Sequence, residues 1–373
     1  MRPRDQWGEV PVDGDVIPFS RIPFGHAGAD NNKKRHHFIS VTYMRGFANE
    51  DKVWVYRSED PENPRPERPE VTGYENYYYS TTLPDGSRNN HQFEDLWGVI
   101  ESAWPATLKA VKDRRLSPAI SFNVLGLATL MKTRVPAARD RHSQLIAAEL
   151  RAGHQALERL GALPENMKPY AGLFDRLPVA TNPERTLPTM FADMEAFGGL
   201  CFRMGFEVLH NESGEPFITS DNPVCVYDPG LPVHRRQPYE FDKRGELIFP
   251  LDAWTLLRGC TRLAPVNQIV RHRTVVDSAK VRGFNRTVAQ FGYRLLIARD
   301  AARVGLASHF AGRCPTITID VRFTGPEGKH IEIHWRNVFG PRPAMPLYVN
   351  TPERAARVQA KMEADGILPP AQP

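Results

Sequence analysis

Cysteine is scarce in this chain, with four among 373 residues (Cys201, Cys225, Cys260 and Cys314) and no CxxC pair. That spacing argues against a zinc ribbon or a thioredoxin-like motif and points to reduced, buried thiols in a cytoplasmic protein. The opening residues, Met1-Arg2-Pro3-Arg4-Asp5, lack the apolar run of a signal peptide. Nowhere do about eighteen apolar residues follow one another, so no membrane span is expected. GxGxxG, Walker, HExxH and GxSxG elements are also missing, which weakens Rossmann, NTPase, zinc-protease and esterase readings. No internal repeat or low-complexity tract is visible.

What is present suits a globular protein. Apolar residues make up 41% and charged residues 24%, enough for a core and too balanced for wholesale disorder. The length fits one large domain or two moderate ones. A formal charge of +5 and a pI near 9.0 are mildly basic. That balance favours acidic partners, nucleic acid or nucleotides among them.

Residues 1–32 are rich in Pro, Gly and Asp and read as an extended arm. Residues 33–204 read as mainly helical. A short helix is expected over 36–48, where Ile39, Tyr43 and Phe47 are spaced by four. A strand at 53–56 precedes a proline-rich loop at 59–69, and 74–80 reads as extended. A long helix over 92–112 carries Pro105, which kinks it or starts a second segment. Ser117-Pro118 reads as an N-cap with proline at the first helical position, and Val135-Pro136 marks a break. Residues 205–373 read as strand-rich. The stretches 206–210 and 216–219 flank a hairpin signal at 211–215. Strands follow at 247–251 and 254–257, then a helix over 276–291. Residues 293–298 continue that helix or form a strand, and a final hairpin joins 316–323 to 331–335. The fold class is therefore α+β, a helical N-terminal half packed with a mainly antiparallel sheet in the C-terminal half. The two parts form one body, weakly divisible near residue 205.

Several polar residues are candidates for chemistry. His37 can act as a general base or bond a backbone group, and His36 reads as its solvated neighbour. Glu94 and Glu101 lie two helical turns apart on one side of a helix. There they could hold a divalent cation such as magnesium, divide acid and base roles, or be ordinary solvated acids. Arg134 can fork onto Glu101, clamp a phosphate, or complement a helix end. Asp221-Asn222-Pro223 after an apolar strand makes an Asx turn or points Asp221 into a pocket. Asn285 reads as a buried hydrogen-bonding residue. Lys33, Lys34, Arg35, Tyr43 and Asn222 are the candidate substrate contacts, the first three as a phosphate-facing patch or a solvated face.

Taken in order, these segments resemble an uncharacterised, mainly bacterial family catalogued as domain of unknown function 4238. The resemblance rests on His37-Phe38-Ile39-Ser40 followed by Tyr43-Met44-Arg45-Gly46-Phe47-Ala48, the Val53-Trp54-Val55-Tyr56 strand and the tyrosines at 77–79. It continues through Glu101, Arg134-Val135-Pro136, the run from Pro216 to Pro223, Phe249-Pro250-Leu251 and Asn285. Ser40 stands where the family usually has proline. The resemblance implies a grouping by fold and no activity. From the residues themselves, the expected function is a hydrolase on phosphodiester or nucleotide substrates, with a nuclease as the narrower form. His37 would be its base, Glu101 (with Glu94 and Asp221) its acid or metal ligand, and Arg134 its clamp. The alternative is a non-catalytic binding or regulatory module in which the same residues form a structural polar network.

Overall fold

The computed structural model describes residues 14–18, 21, 34–82, 88–89, 92–174, 179–181, 183–238, 245–326, 330–344, 347–348 and 352–366. Most of the expected arm at 1–32, together with Lys33, lies outside them.

The chain opens with β1 (Arg35–His37), α1 (Val41–Met44), β2 (Val53–Arg57), β3 (Asp60–Glu67), β4 (Tyr74–Asn76), β5 (Thr81–Thr82) and β6 (Arg88–Asn89). A helical stretch comes next: α2 (Gln92–Ser102), α3 (Trp104–Lys112), α4 (Pro118–Thr133), α5 (Pro136–Arg159), the short β7 (Ala180–Thr181) and α6 (Leu187–Cys201). Strands then dominate with β8 (Gly205–Asn211), β9 (Thr219–Ser220), β10 (Cys225–Tyr227), β11 (Glu246–Asp252), β12 (Thr255–Cys260) and β13 (Ile269–Val275). The last elements are α7 (Ser278–Phe291), β14 (Leu295–Ala298), α8 (Val304–Phe310), β15 (Cys314–Thr324), β16 (His330–Gly340), β17 (Leu347–Tyr348) and α9 (Pro352–Ala364). The protein is thus mixed α and β, with its helices mainly in the middle. The expected helical N-terminal half is corrected: the chain's first quarter is built mainly from short strands that pair with one another, β1 with β4, β2 with β3 and β5 with β6, while β2 also takes the late strand β14 as a neighbour.

Local chemistry explains the helix boundaries. Ser117 Oγ accepts the Ile120 N–H at 3.2 Å, and Pro118 takes the first helical position of α4. Pro105 stands in the first turn of α3, so the expected long helix is two, separated at Ala103. Eleven of the sixteen residues of α4 are buried, and α2, α3 and α6 pack around it, as expected for a mainly apolar helix at the centre of a bundle.

Two sheets organise the rest. The five-stranded sheet has the order β10-β11-β12-β8-β13, antiparallel except that β13 runs parallel to β8. Both of its faces are buried. Val208, Leu247 and Leu257 face the helical core, while the alternating Leu209, Ile248 and Leu256 face α7. The four-stranded sheet has the order β3-β2-β14-β9, so segments before and after residue 205 share it. Among the described residues, no helix is long and apolar enough to cross a membrane.

Two expectations fail here for physical reasons. The 59–69 stretch is the strand β3 rather than a loop, because Pro61, Pro64 and Pro66 sit on a sheet edge, where a missing N–H costs little. The hairpin expected across 211–215 does not form. Asn211 does build the turn, its Oδ1 accepting the Ser213 N–H at 2.9 Å and its Nδ2 donating to Glu215 O at 2.6 Å. Asn285 of α7 then captures the following stretch, with Oδ1 accepting the Ile218 N–H at 3.1 Å and Nδ2 donating to Pro216 O at 3.0 Å. The chain crosses to the other sheet, and β9 pairs with β14 instead of β8.

Candidate functional site

The pairing of β1 with β4 sets His36 opposite Glu75 and His37 opposite Tyr74. His36, expected in solvent, is fully buried. Its Nδ1 accepts the Tyr79 N–H at 2.9 Å, and its ring stacks on that of Tyr79. Tyr79 in turn donates its hydroxyl to Arg134 O at 3.0 Å. This buried relay ties β1 to the end of α4.

His37 is half-buried. Its Nε2 lies 3.2 Å from the main-chain carbonyl of Glu70. A carbonyl only accepts, so Nε2 carries the proton and Nδ1 keeps a lone pair. Burial holds the imidazole below its usual pKa. The Glu70 carbonyl opposes that shift, the positive Arg134 adds to it, and the Glu101 and Glu70 carboxylates push back. His37 therefore feels both Arg134 and Glu101.

Arg134 caps the C-terminus of α4, and its side chain is 1% exposed. Nη2 lies 2.5 Å from Oε1 of Glu101, whose side chain is 24% exposed. Of the roles open to Arg134, the structure shows a single-point pair with Glu101 and a place at the C-cap of α4. Glu94 lies on α2 as expected, with its side chain outside what is described. Lys34 and Arg35 are exposed at the start of β1, and the Arg35 guanidinium sits 5.1 Å from the Tyr74 ring centre. The same tyrosine packs against His37 at 5.6 Å.

The remaining candidates lie elsewhere. Asp221 is fully buried, and its two oxygens accept the N–H groups of Tyr293 and Arg294, each at 2.8 Å. Burial raises its pKa to about 6, against the pull of those amides and of the Arg294 charge. Asn222, also fully buried, donates Nδ2 to Phe291 O at 3.0 Å. Tyr43 donates its hydroxyl to Pro250 O at 2.8 Å and meets Thr219 Oγ1 at 2.6 Å. Expected against a substrate, Tyr43 and Asn222 are sealed in the core at 0% exposure. Their polarity is spent on joining α1, α7 and the sheets.

Sequence reasoning missed a second polar seam, at the start of α5. Arg139 bonds Tyr78 O and Thr186, while Asp140 accepts the Tyr293 hydroxyl at 2.8 Å and meets Arg294 at 3.3 Å. The signal was Arg139-Asp140 directly after the buried Pro136-Ala137-Ala138, charged residues on a face that must be covered.

A family model described as Protein of unknown function (DUF4238) matches residues 35–302. The chain belongs to this family. No curated protein and no solved structure matches it. The DUF4238 portion contains His37, Glu101, Arg134 and Asp221 and stops short of the β15–β16 ribbon.

Proposed function

We propose that the DUF4238 portion of this chain is a hydrolase for phosphodiester or nucleotide substrates, a nuclease being its narrower form, with His37 as proton acceptor. The observation that carries this reading is the divided imidazole. Nε2 is committed to Glu70 O, Nδ1 has no partner among the described residues, and the half-buried ring is biased toward its neutral form. A neutral imidazole with a fixed tautomer can take a proton from an attacking water or hydroxyl. Glu101 supplies the second group. Arg134 holds one of its oxygens, leaving the other to orient the nucleophile, so Arg134 is a positioning residue. The exposed Lys34 and Arg35, the latter over the Tyr74 ring that packs on His37, would meet phosphate oxygens. A magnesium ion requires several oxygen ligands. Glu101 offers one free oxygen, and among the described residues no group of three or more His, Cys, Asp or Glu side chains could hold a metal. The Glu94 side chain lies outside what is described, so the proposed roles of His37, Glu101 and Arg134 concern the protein groups themselves.

The burial of Tyr43, Asp221 and Asn222 in structural bonds favours a second reading, a non-catalytic module with a polar framework. One experiment separates the two. The full chain and its His37→Ala and Glu101→Gln variants are assayed on bis(p-nitrophenyl) phosphate, single-stranded DNA and RNA, with magnesium and with chelator. The wild type should hydrolyse at least one of these, and His37→Ala should lose about 10²–10⁴-fold in rate while melting close to the wild type. If the wild type turns over none of them, or His37→Ala is as active as the wild type, the non-catalytic reading takes its place.

A further inference from the structure

A cavity of about 260 Å³ opens where β2 and β14 meet the end of α7, α8 and the turn into β15. A wider groove of about 940 Å³ shares Arg57, Glu59, Arg294, Leu295 and Arg342 with it. None of His37, Glu101 and Arg134 lines either space, so a ligand held there is independent of the hydrolytic reading.

The cavity combines an apolar interior with an excess of positive charge. Ala289, Leu296, Ala307 and Phe310 contribute apolar wall. Four arginines, Arg57, Arg294, Arg313 and Arg342, face a single carboxylate, Glu59. Two of the four are already compensated. Arg57 pairs with Glu67 at 2.7 Å, and Arg294 pairs with Glu75 and Asp140. Arg313 and Arg342 are exposed and have no carboxylate partner among the described residues. The Arg342 guanidinium lies 6.0 Å from the ring centre of Tyr293, another lining residue. These two guanidinium groups are the ones on the cavity wall left to meet an anion.

That combination of apolar wall and two arginines without a carboxylate partner identifies a ligand class. Small-molecule sites are mostly apolar with a few placed polar groups, and their usual volume starts at about 300 Å³, so the occupant here is small. Two guanidinium groups without a carboxylate partner suit a small anion, and bringing a phosphate dianion against the apolar wall of Ala289, Leu296 and Phe310 costs more desolvation than bringing a monoanion there. A planar guanidinium fork matches a carboxylate bidentately. We propose that this cavity binds a small carboxylic acid, its apolar body against Leu296 and Phe310 and its carboxylate on Arg313 and Arg342. Phe310, Arg313 and Arg342 lie beyond the DUF4238 match, while Leu296 lies within it. The acid site is therefore built jointly by the family portion and the C-terminal extension of this chain.

The test is titration calorimetry and thermal melting of the full chain with benzoate, hexanoate, phenyl phosphate and the neutral benzyl alcohol. Benzoate or hexanoate should bind saturably and raise the melting temperature. Benzyl alcohol should bind at least tenfold more weakly. Arg313→Ala and Arg342→Ala should each weaken the acid at least tenfold, and Arg342→Lys should recover part of the loss. Both arginines are exposed, so the unliganded variants should melt with the wild type, and retained melting shows that any lost affinity is not lost fold. The proposal is overturned by no saturable binding of either acid, by alanine variants that bind like the wild type, by benzyl alcohol matching benzoate, or by phenyl phosphate binding more tightly than benzoate.

Discussion

Two polar centres in this protein are each built around a carboxylate, Glu101 in one and Asp221 in the other, near the end of a secondary-structure element. One is the Glu101–Arg134 ion pair, whose charges act on the His37 imidazole; the other is Asp221 with Asn222. They differ in what has already claimed their polar atoms. Both Asp221 oxygens are taken by main-chain N–H groups, its own N–H bonds Leu295 O at 3.2 Å, and no part of it meets solvent. At the first centre, His37 Nδ1 and the second oxygen of Glu101 have no partner among the described residues, and both side chains reach the surface. A carboxylate consumed by backbone amides closes a chain turn. A carboxylate held by one side chain, with an oxygen to spare, is available to a ligand.

The largest expected effect breaks the sealed centre. Asp221→Ala leaves the buried Tyr293 N–H without its acceptor, at about 1–3 kcal/mol, and removes the part-buried bond to the Arg294 N–H as well. Its melting temperature should fall well below those of both the wild type and His37→Ala. An Asp221→Ala protein that melts with the wild type would erase the distinction between the centres.

The pH dependence of stability sharpens the comparison, because the two centres pull in opposite directions. The folded pKa of His37 lies below its unfolded value near 6.5. Its contribution is full above that pH and is lost as the pH falls toward the folded pKa. Asp221 moves the other way, from an unfolded value near 3.8 to about 6 when folded. The folded state binds its proton more tightly, so stability falls as the pH rises through that window. Melting curves between about pH 4 and 8 should therefore show His37→Ala losing less stability on acidification below about pH 6.5 than the wild type. An identical acid slope for the two proteins would contradict the burial of the imidazole.

The smallest expected effect on the fold comes from the exposed charges beside the open centre. Lys34→Ala with Arg35→Ala should leave melting unchanged. If the chain binds duplex DNA, the double variant should flatten the slope of log affinity against log salt by up to about 1.8, two phosphate contacts at about 0.9 each. The change should be similar across sequences, since phosphate contacts position without reading bases. An unchanged slope takes Lys34 and Arg35 out of the interface.

What was legible in the sequence is what local chemistry decides. Ser117-Pro118 starts α4, Val135-Pro136 ends it, Pro105 restarts a helix, and β15–β16 alternate along a ribbon. Each of these features depends on residues a few positions apart, apart from the ribbon, whose alternation is itself local. The errors arose where distant segments decide. Asn211 turns the chain as its type suggests, yet Asn285 on α7 determines where the chain goes next. Asp221 read more as a turn residue than as a pocket residue, and the pocket stayed open because its partners, Tyr293 and Arg294, come 72 and 73 residues later. His36 and His37 are adjacent and both polar, but strand alternation sends one into the core and leaves the other near the surface. Glu101 and Arg134 could be paired from sequence because each ends an apolar helix of the same bundle.

The placement of β14 between β2 and β9 also sets an order in time. Val55 of β2 meets Ile297 of β14 across the sheet, and a ribosome adding about 5–20 residues per second needs on the order of ten to fifty seconds to travel between them. Throughout that interval the β2–β3 hairpin has emerged with one edge awaiting its neighbour. Its other edge is the proline-bearing β3, which offers few N–H groups to a passing strand. Three prolines that look like a broken loop in the sequence thus act as a guard on the nascent chain, leaving one side of the hairpin open for the strand that arrives last.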